Sequence, residues 1–218
     1  MFPGAHAAST PDKPAVVMGG TGQVITYGDL DAEANQVSHV FRSLGLQPGD
    51  HIAFCLENHP RYFALAWGAH YAGLYYTAMS SRLTTDEMAY IVEDCGARAF
   101  VTSAYKRDQA AELAGRLDDD VALYMLDGTI DGYESWEDAL AAQPATALPE
   151  DRVEGRDMLY SSGTTGRPKG VEVPLPGAPL GTTDAVHLLA SALFGATADS
   201  VYLSPAPMYH AAPLRFSM

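Results

Sequence analysis

Basic residues are scarce. Lys and Arg number 13 against 27 Asp and Glu, a formal net charge of −14 over 218 residues. A surface this acidic repels a phosphate backbone, which excludes nucleic-acid binding as a main role. Only Lys13, Lys106 and Lys169 are lysines. Cysteine is nearly absent as well. Cys55 and Cys95 lie far apart inside apolar stretches, which excludes a disulfide scaffold and reads as two small buried hydrophobes in a reducing compartment. No apolar run reaches the ~18 residues of a membrane span. The longest, Ala185 to Ala198, is broken by His187, Ser191 and Gly195. There is no repeat, no low-complexity tract and no charged-then-apolar leader. The expectation is a soluble, cytoplasmic chain, long enough to bury a sizeable core.

What is present is a repeated alternation of short β-rich runs and amphipathic stretches. A hairpin is expected over Ala15 to Tyr27, turning at Gly19–Gly22. Thr26 and Asp29 then form a capping signature for a helix whose apolar face is Leu30, Ala34, Val37, Phe41 and Leu44. His51 to Leu56 is a nearly continuous apolar strand, as one covered on both faces would be. Further strands are expected at Leu74–Met79, Ala99–Thr102 and Val121–Leu126, with helices at about 60–72, 84–95 and 106–117 and a short one capped by Ser135. Asn58 and Arg61 are read as capping and solvating the start of the helix that follows them. Such alternation implies an α/β fold, a layered sheet with mostly parallel strands.

Gln143 to Asp157, with Pro144 and Pro149 and no periodicity, reads as a surface linker. Residues 1–157 are expected to form one α/β subdomain. Residues 158–218 are expected to hold a hairpin and the start of a second, with an apolar helix over Thr183–Phe194 and a strand at Val201–Leu203.

One segment carries a chemical signal. Tyr160 to Glu172 reads YSSGTTGRPKGVE. Ser161, Ser162, Thr164 and Thr165 supply hydroxyls, and Gly163, Gly166 and Gly170 let backbone N–H groups face a ligand without a Cβ in the way. Arg167 and Lys169 add positive charge, so the loop suits the anionic oxygens of a polyphosphate. It is not a Walker A loop: Lys169 sits between Pro168 and Gly170, and a strand follows instead of a helix. No Gly-x-Ser-x-Gly elbow is present either. Of the histidines, His210 follows a proline-rich turn where functional side chains often sit. The others, including His59, show no metal-ligand spacing, and no metal site is assigned.

The string from Tyr160 to Glu172 resembles the phosphate-loop signature of the adenylate-forming superfamily, which includes the acyl- and aryl-CoA synthetases. Weaker resemblances stand in the right order at Ile25–Leu30, Trp67–Gly73 and Ser204–His210. The segment through His210-Ala211-Ala212-Pro213 looks most like a fatty-acyl-CoA synthetase. The resemblance implies the N-terminal part of the family's large domain. It implies activation of a fatty acid by ATP and Mg²⁺ as an acyl-adenylate, then thioester formation with coenzyme A. It places Ser161, Ser162, Gly163, Thr164, Thr165, Gly166 and Lys169 on the phosphates, and His210 at the junction of acyl pocket and adenylate. The family's Tyr-Gly-x-Thr-Glu motif, ribose-binding aspartate and small C-terminal domain have no counterpart here. The chain is therefore expected to be truncated and inactive alone, with an unfinished edge that would pair with a second copy. The alternatives are a fragment of an aryl- or other acid–CoA ligase, and a non-catalytic α/β association module.

Overall fold

Two threonines set the helical phase. Thr26 Oγ1 accepts from the Asp29 amide while Asp29 answers the Thr26 amide, and Thr84 and Glu87 do the same. Each pair satisfies N–H groups that the first helical turn leaves unpaired. The computed structural model describes residues 2–149, 152–161, 167–182 and 185–218. In chain order the elements are α1 (Pro3–Ala7), β1 (Pro14–Val17), β2 (Val24–Thr26), α2 (Tyr27–Ser43), β3 (His51–Cys55), α3 (Tyr62–Tyr71), β4 (Tyr75–Met79), α4 (Thr85–Asp94) and β5 (Ala97–Ser103). A 3-10 turn, Ala104–Lys106, leads into α5 (Arg107–Ala114). Then come β6 (Ala122–Leu126), β7 (Glu134–Ser135), α6 (Trp136–Ala141), β8 (Arg156–Asp157), β9 (Leu159–Ser161), β10 (Lys169–Val171), α7 (Ala185–Ala192) and α8 (Ala211–Ser217).

Six strands form one sheet in the order β7-β6-β5-β3-β4-β8, and every pairing in it is parallel. β1–β2 and β9–β10 are separate antiparallel hairpins. Side-chain alternation in β3 sorts the core into two layers. Ile52 and Phe54 face Val37, Phe41, Leu65 and Trp136 beneath α2, α3 and α6. Ala53 and Cys55 face Met88, Ile91, Leu113 and Met125 beneath α4 and α5. The expected α/β fold with a doubly covered parallel sheet is what forms.

The Trp67–Gly73 segment has a packing role. Gly68 on α3 lies against α2 so closely that a Cβ there would stand 2.2 Å from Val37 Cγ1. Gly73 then turns the chain into β4 at φ +69°, where a side chain is strained.

Two expectations are corrected. Gln143–Asp157 is not a surface linker: Arg156 and Asp157 form β8, hydrogen-bonded to β4, and Leu148 and Asp157 are buried. A two-residue polar edge strand carries no alternation by which to recognise it. Val201–Leu203 is apolar but forms no strand, with Val201 97% and Leu203 82% exposed. No described residue pairs with its backbone as a strand. The expected apolar helix forms as α7, with none of its residues buried; Thr183 lies outside the described residues.

Candidate functional site

The glycine-rich loop opens and closes on the β9–β10 hairpin, where Lys169 pairs with Ser161, Gly170 with Tyr160 and Val171 with Leu159. This is the strand–loop–strand geometry expected from the alternation around Lys169. Gly170 is required by close approach, since a Cβ would stand 2.5 Å from Met158 Cε and 2.9 Å from Tyr160 Cζ. Ser162, Gly163, Thr164, Thr165 and Gly166 lie outside the described residues. Ser161 and Lys169 are both exposed on the hairpin. Ser161 Oγ donates to the Lys169 carbonyl at 3.4 Å. The Lys169 ammonium has no partner among the described residues.

Arg167 is placed differently. Its guanidinium sits 4.8 Å above the ring of Tyr90 on α4. The Tyr90 hydroxyl donates to Asp94 Oδ1 at 3.2 Å, and the Tyr160 hydroxyl donates to Asp94 Oδ2 at 2.5 Å. Burial and the Asp94 carboxylate both push the Tyr160 hydroxyl up from its ordinary pKa. The shoulder of the loop is thus tied to α4, and Asp94 is engaged by two tyrosines. At the hairpin the described donor set is one free ammonium and one hydroxyl. That set fits anionic oxygens, and it includes no carboxylate that would draw in a bare cation.

His210 is exposed and precedes α8 as its N-cap, without a side-chain capping bond. Its ring centre lies 4.5 Å from that of Tyr209. Among the described residues no hydrogen bond or ring contact joins His210 to the hairpin. Asn58 does not cap α3. Its Nδ2 donates to the Ala206 carbonyl at 3.1 Å and its Oδ1 accepts from the Met208 amide at 2.9 Å.

A polar cavity of about 280 Å³, lined by Gln23, Glu33, His59, Arg61 and Asp127 among others, lies apart from the hairpin. Burial raises the pKa of Glu33, opposed by Arg61, whose Nη1 is 3.1 Å away. Beside the cavity, Glu57, His59 and Asp127 bring ligand-type atoms within 4.8 Å of one another. Linear spacing missed this trio because its members come from the ends of β3 and β6. His59 Nε2 meets Asp127 Oδ2 at 3.0 Å, and Nδ1 accepts from the Arg61 amide at 3.1 Å. With both ring nitrogens engaged, the histidine braces two strand ends and has no free lone pair for a metal.

Both cysteines are free and buried, as expected. Burial pushes the Cys55 thiol up to about 12 and the Cys95 thiol up to about 11, from 9.0. The folded chain then binds more protons than the unfolded chain once pH exceeds the unfolded value. Stability is therefore full below about pH 9 and falls as pH rises above it. Urea unfolding at pH 8 and pH 10.5 checks this, with Cys55→Ser/Cys95→Ser as the control that loses part of the slope.

Among known proteins, the long-chain-fatty-acid–CoA ligase FadD13 of Mycobacterium tuberculosis is 29% identical over 213 residues, covering 96% of this chain and 40% of that protein. A 3-hydroxybenzoate–CoA ligase of Aromatoleum is 31% identical over 170 residues, covering 76% of this chain and 32% of that protein. Among solved structures, the inhibitor-bound N-terminal domain of FACL13 from Mycobacterium tuberculosis matches with a TM-score of 0.74 at 26% identity, over 99% of this chain and 52% of that one. The chain thus spans 32% to 40% of the length of these two curated relatives. No helix among the described residues is long and apolar enough to cross a membrane. Together with the β9–β10 hairpin and its exposed lysine, a family match that runs from residue 4 to residue 218 shows that the chain belongs to the AMP-binding enzymes.

Proposed function

We propose that the chain supplies the phosphate-handling part of an ATP-dependent fatty-acid–CoA ligase working in the cytoplasm. The observation that carries the reading is the exposed Lys169 ammonium, without a partner among the described residues, on a family-matched hairpin. In the reaction a carboxylate oxygen attacks the α-phosphorus of ATP and the bond to the β-phosphate oxygen breaks. Acyl-adenylate and pyrophosphate result; the thiol of coenzyme A then displaces AMP and gives up its proton. Such chemistry asks the protein chiefly to position and neutralise charge. Lys169 holds the departing pyrophosphate, and Ser161 donates a hydrogen bond beside it. Ser162, Gly163, Thr164, Thr165 and Gly166 complete the cradle by resemblance. His210 stands at the junction of acyl pocket and adenylate. A Mg²⁺ ion bound with the triphosphate would offset part of its charge, leaving Lys169 to hold the departing pyrophosphate.

Within this reading residues 1–157 are one α/β subdomain and 158–218 begin the next. The exposed apolar stretch from Leu188 to Leu203 is covered in the working protein. The −14 charge opposes covering it with a second copy. An aromatic acid is the second substrate reading, favoured by the 31% identical relative named for 3-hydroxybenzoate.

The 218-residue chain alone is expected to bind Mg-pyrophosphate yet release no AMP when given Mg-ATP, coenzyme A and fatty acids from octanoate to stearate. Steady AMP release would overturn its incompleteness as a catalyst. Absence of any pyrophosphate binding would overturn the phosphate site.

A further inference from the structure

We infer that Asn58 is a positioning residue. Its side-chain amide fixes the turn from Ala206 to His210, and so His210, over the carboxyl end of β3. The inference rests on the role proposed for His210. β3 lies between β5 and β4 in the sheet, so the chain's path departs from it in both directions. In open α/β sheets, ligands gather at the carboxyl ends of strands at such a switch point. Asn58 stands three residues beyond Cys55, the last residue of β3.

The two bonds from Asn58 are complementary. Nδ2–H meets the Ala206 carbonyl at 3.1 Å, and Oδ1 receives the Met208 N–H at 2.9 Å. Between these residues lies Pro207, which has no N–H to offer. The amide therefore reads both polar groups available on either side of the proline, one donor to one acceptor. An ionised carboxylate could not make both bonds, because it accepts but cannot donate.

The turn depends on this contact because little upstream holds it. Val201, Tyr202 and Leu203 are exposed. From Met208 onward the chain enters the core: Met208 and Leu214 are buried, and Tyr209 packs partly against the same cluster. Asn58 is thus the polar tie at the point where an exposed run becomes anchored. Capping does not explain the residue. The start of α3 is served by His59, whose Nδ1 accepts from the Arg61 amide and whose carbonyl accepts from the Tyr62 amide.

The test is amide exchange and ¹H NMR on the 218-residue chain with Asn58→Ala and Asn58→Asp. Alanine removes both bonds; aspartate keeps the acceptor for the Met208 amide. In Asn58→Ala, exchange at Met208 should accelerate at least tenfold, while Ile52 and Phe54 in β3 keep their rates. The His210 ring protons should move toward the positions of free histidine as the Tyr209 ring leaves them. Asn58→Asp should restore most of the Met208 protection. Unchanged Met208 exchange in Asn58→Ala would overturn the inference. So would equal acceleration at Ile52 and Phe54, the mark of general destabilisation. Neither readout needs turnover, so failure of the ligase reading and failure of this positioning role are seen separately.

Discussion

Replacing Lys169 by alanine is expected to weaken Mg-pyrophosphate binding by about 10- to 100-fold, the range of a charge-assisted hydrogen bond to an anion. Three features make the effect large. The Lys169 ammonium is exposed and has no partner among the described residues, so its full charge is available to a ligand. Arg167 cannot stand in, because its guanidinium is stacked on Tyr90. The chain as a whole carries a net charge of −14 and repels an anion, so little background affinity remains. An exposed side chain without structural partners should leave stability within about 0.5 kcal/mol. Titration calorimetry at low and high salt makes the measurement. The difference between wild type and Lys169→Ala should shrink as salt screens the contact. Lys169→Arg should retain part of the affinity, since it keeps the charge but not the compact head. Equal affinities for wild type and Lys169→Ala would remove the residue from the phosphate site.

The second large effect concerns stability. Gly68→Ala should destabilise the fold by about 3 kcal/mol, through overpacking. The new Cβ would meet Val37 Cγ1 at 2.2 Å, Val37 Cβ at 2.4 Å and the Ala34 carbonyl oxygen at 3.0 Å. Val37 is β-branched and stiff, and a backbone carbonyl cannot step aside. α2 and α3 cannot separate cheaply, because both seal the Ile52–Phe54 face of the sheet. The gain of about 1 kcal/mol in helix propensity from glycine to alanine is too small to reverse the sign. For a chain of this size the melting temperature should fall by roughly 6–12 °C. Val37→Ala opens the space, so the double variant Val37→Ala/Gly68→Ala should be more stable than the sum of the singles by about 1 kcal/mol or more. Strict additivity would mean that Gly68 and Val37 do not collide.

Local chemistry was the legible part of the fold. The capping pairs Thr26–Asp29, Thr84–Glu87 and Ser135–Asp138 mark the starts of α2, α4 and α6, because a cap is made by residues three apart. The near-continuous apolar runs of β3 and β4 mark doubly covered strands for the same reason: burial on both faces leaves its imprint on every residue. Tertiary pairing left no such imprint. β8 is polar and two residues long, and its partner β4 is far upstream. Val201–Leu203 has strand-like composition yet pairs with no described strand and lies exposed. At the site, the residue types around Lys169 suit a polyphosphate, and the strand–loop–strand path on either side of the loop was legible from their alternation. That Arg167 stacks on Tyr90, that His59 braces Asp127 and that Asn58 grips Ala206 and Met208 all depend on distant segments meeting. None has a signature within its own stretch of chain.

The pairing of β4 with β8 also bears on the order in which the molecule assembles. β5 meets β6 across a short excursion, Ala99 to Ala122, while β4 waits for Arg156 from Tyr75 onward. Closing a loop of roughly eighty residues costs about 1 kcal/mol more chain entropy than closing one of roughly twenty. β8 should therefore dock last. Until it does, β4 presents an unpaired edge along five residues, Tyr75 to Met79, that the native state buries completely. An open, apolar edge of that kind recruits other chains. Refolding yield should accordingly fall with protein concentration, and the window of vulnerability closes when Arg156 and Asp157 reach the sheet.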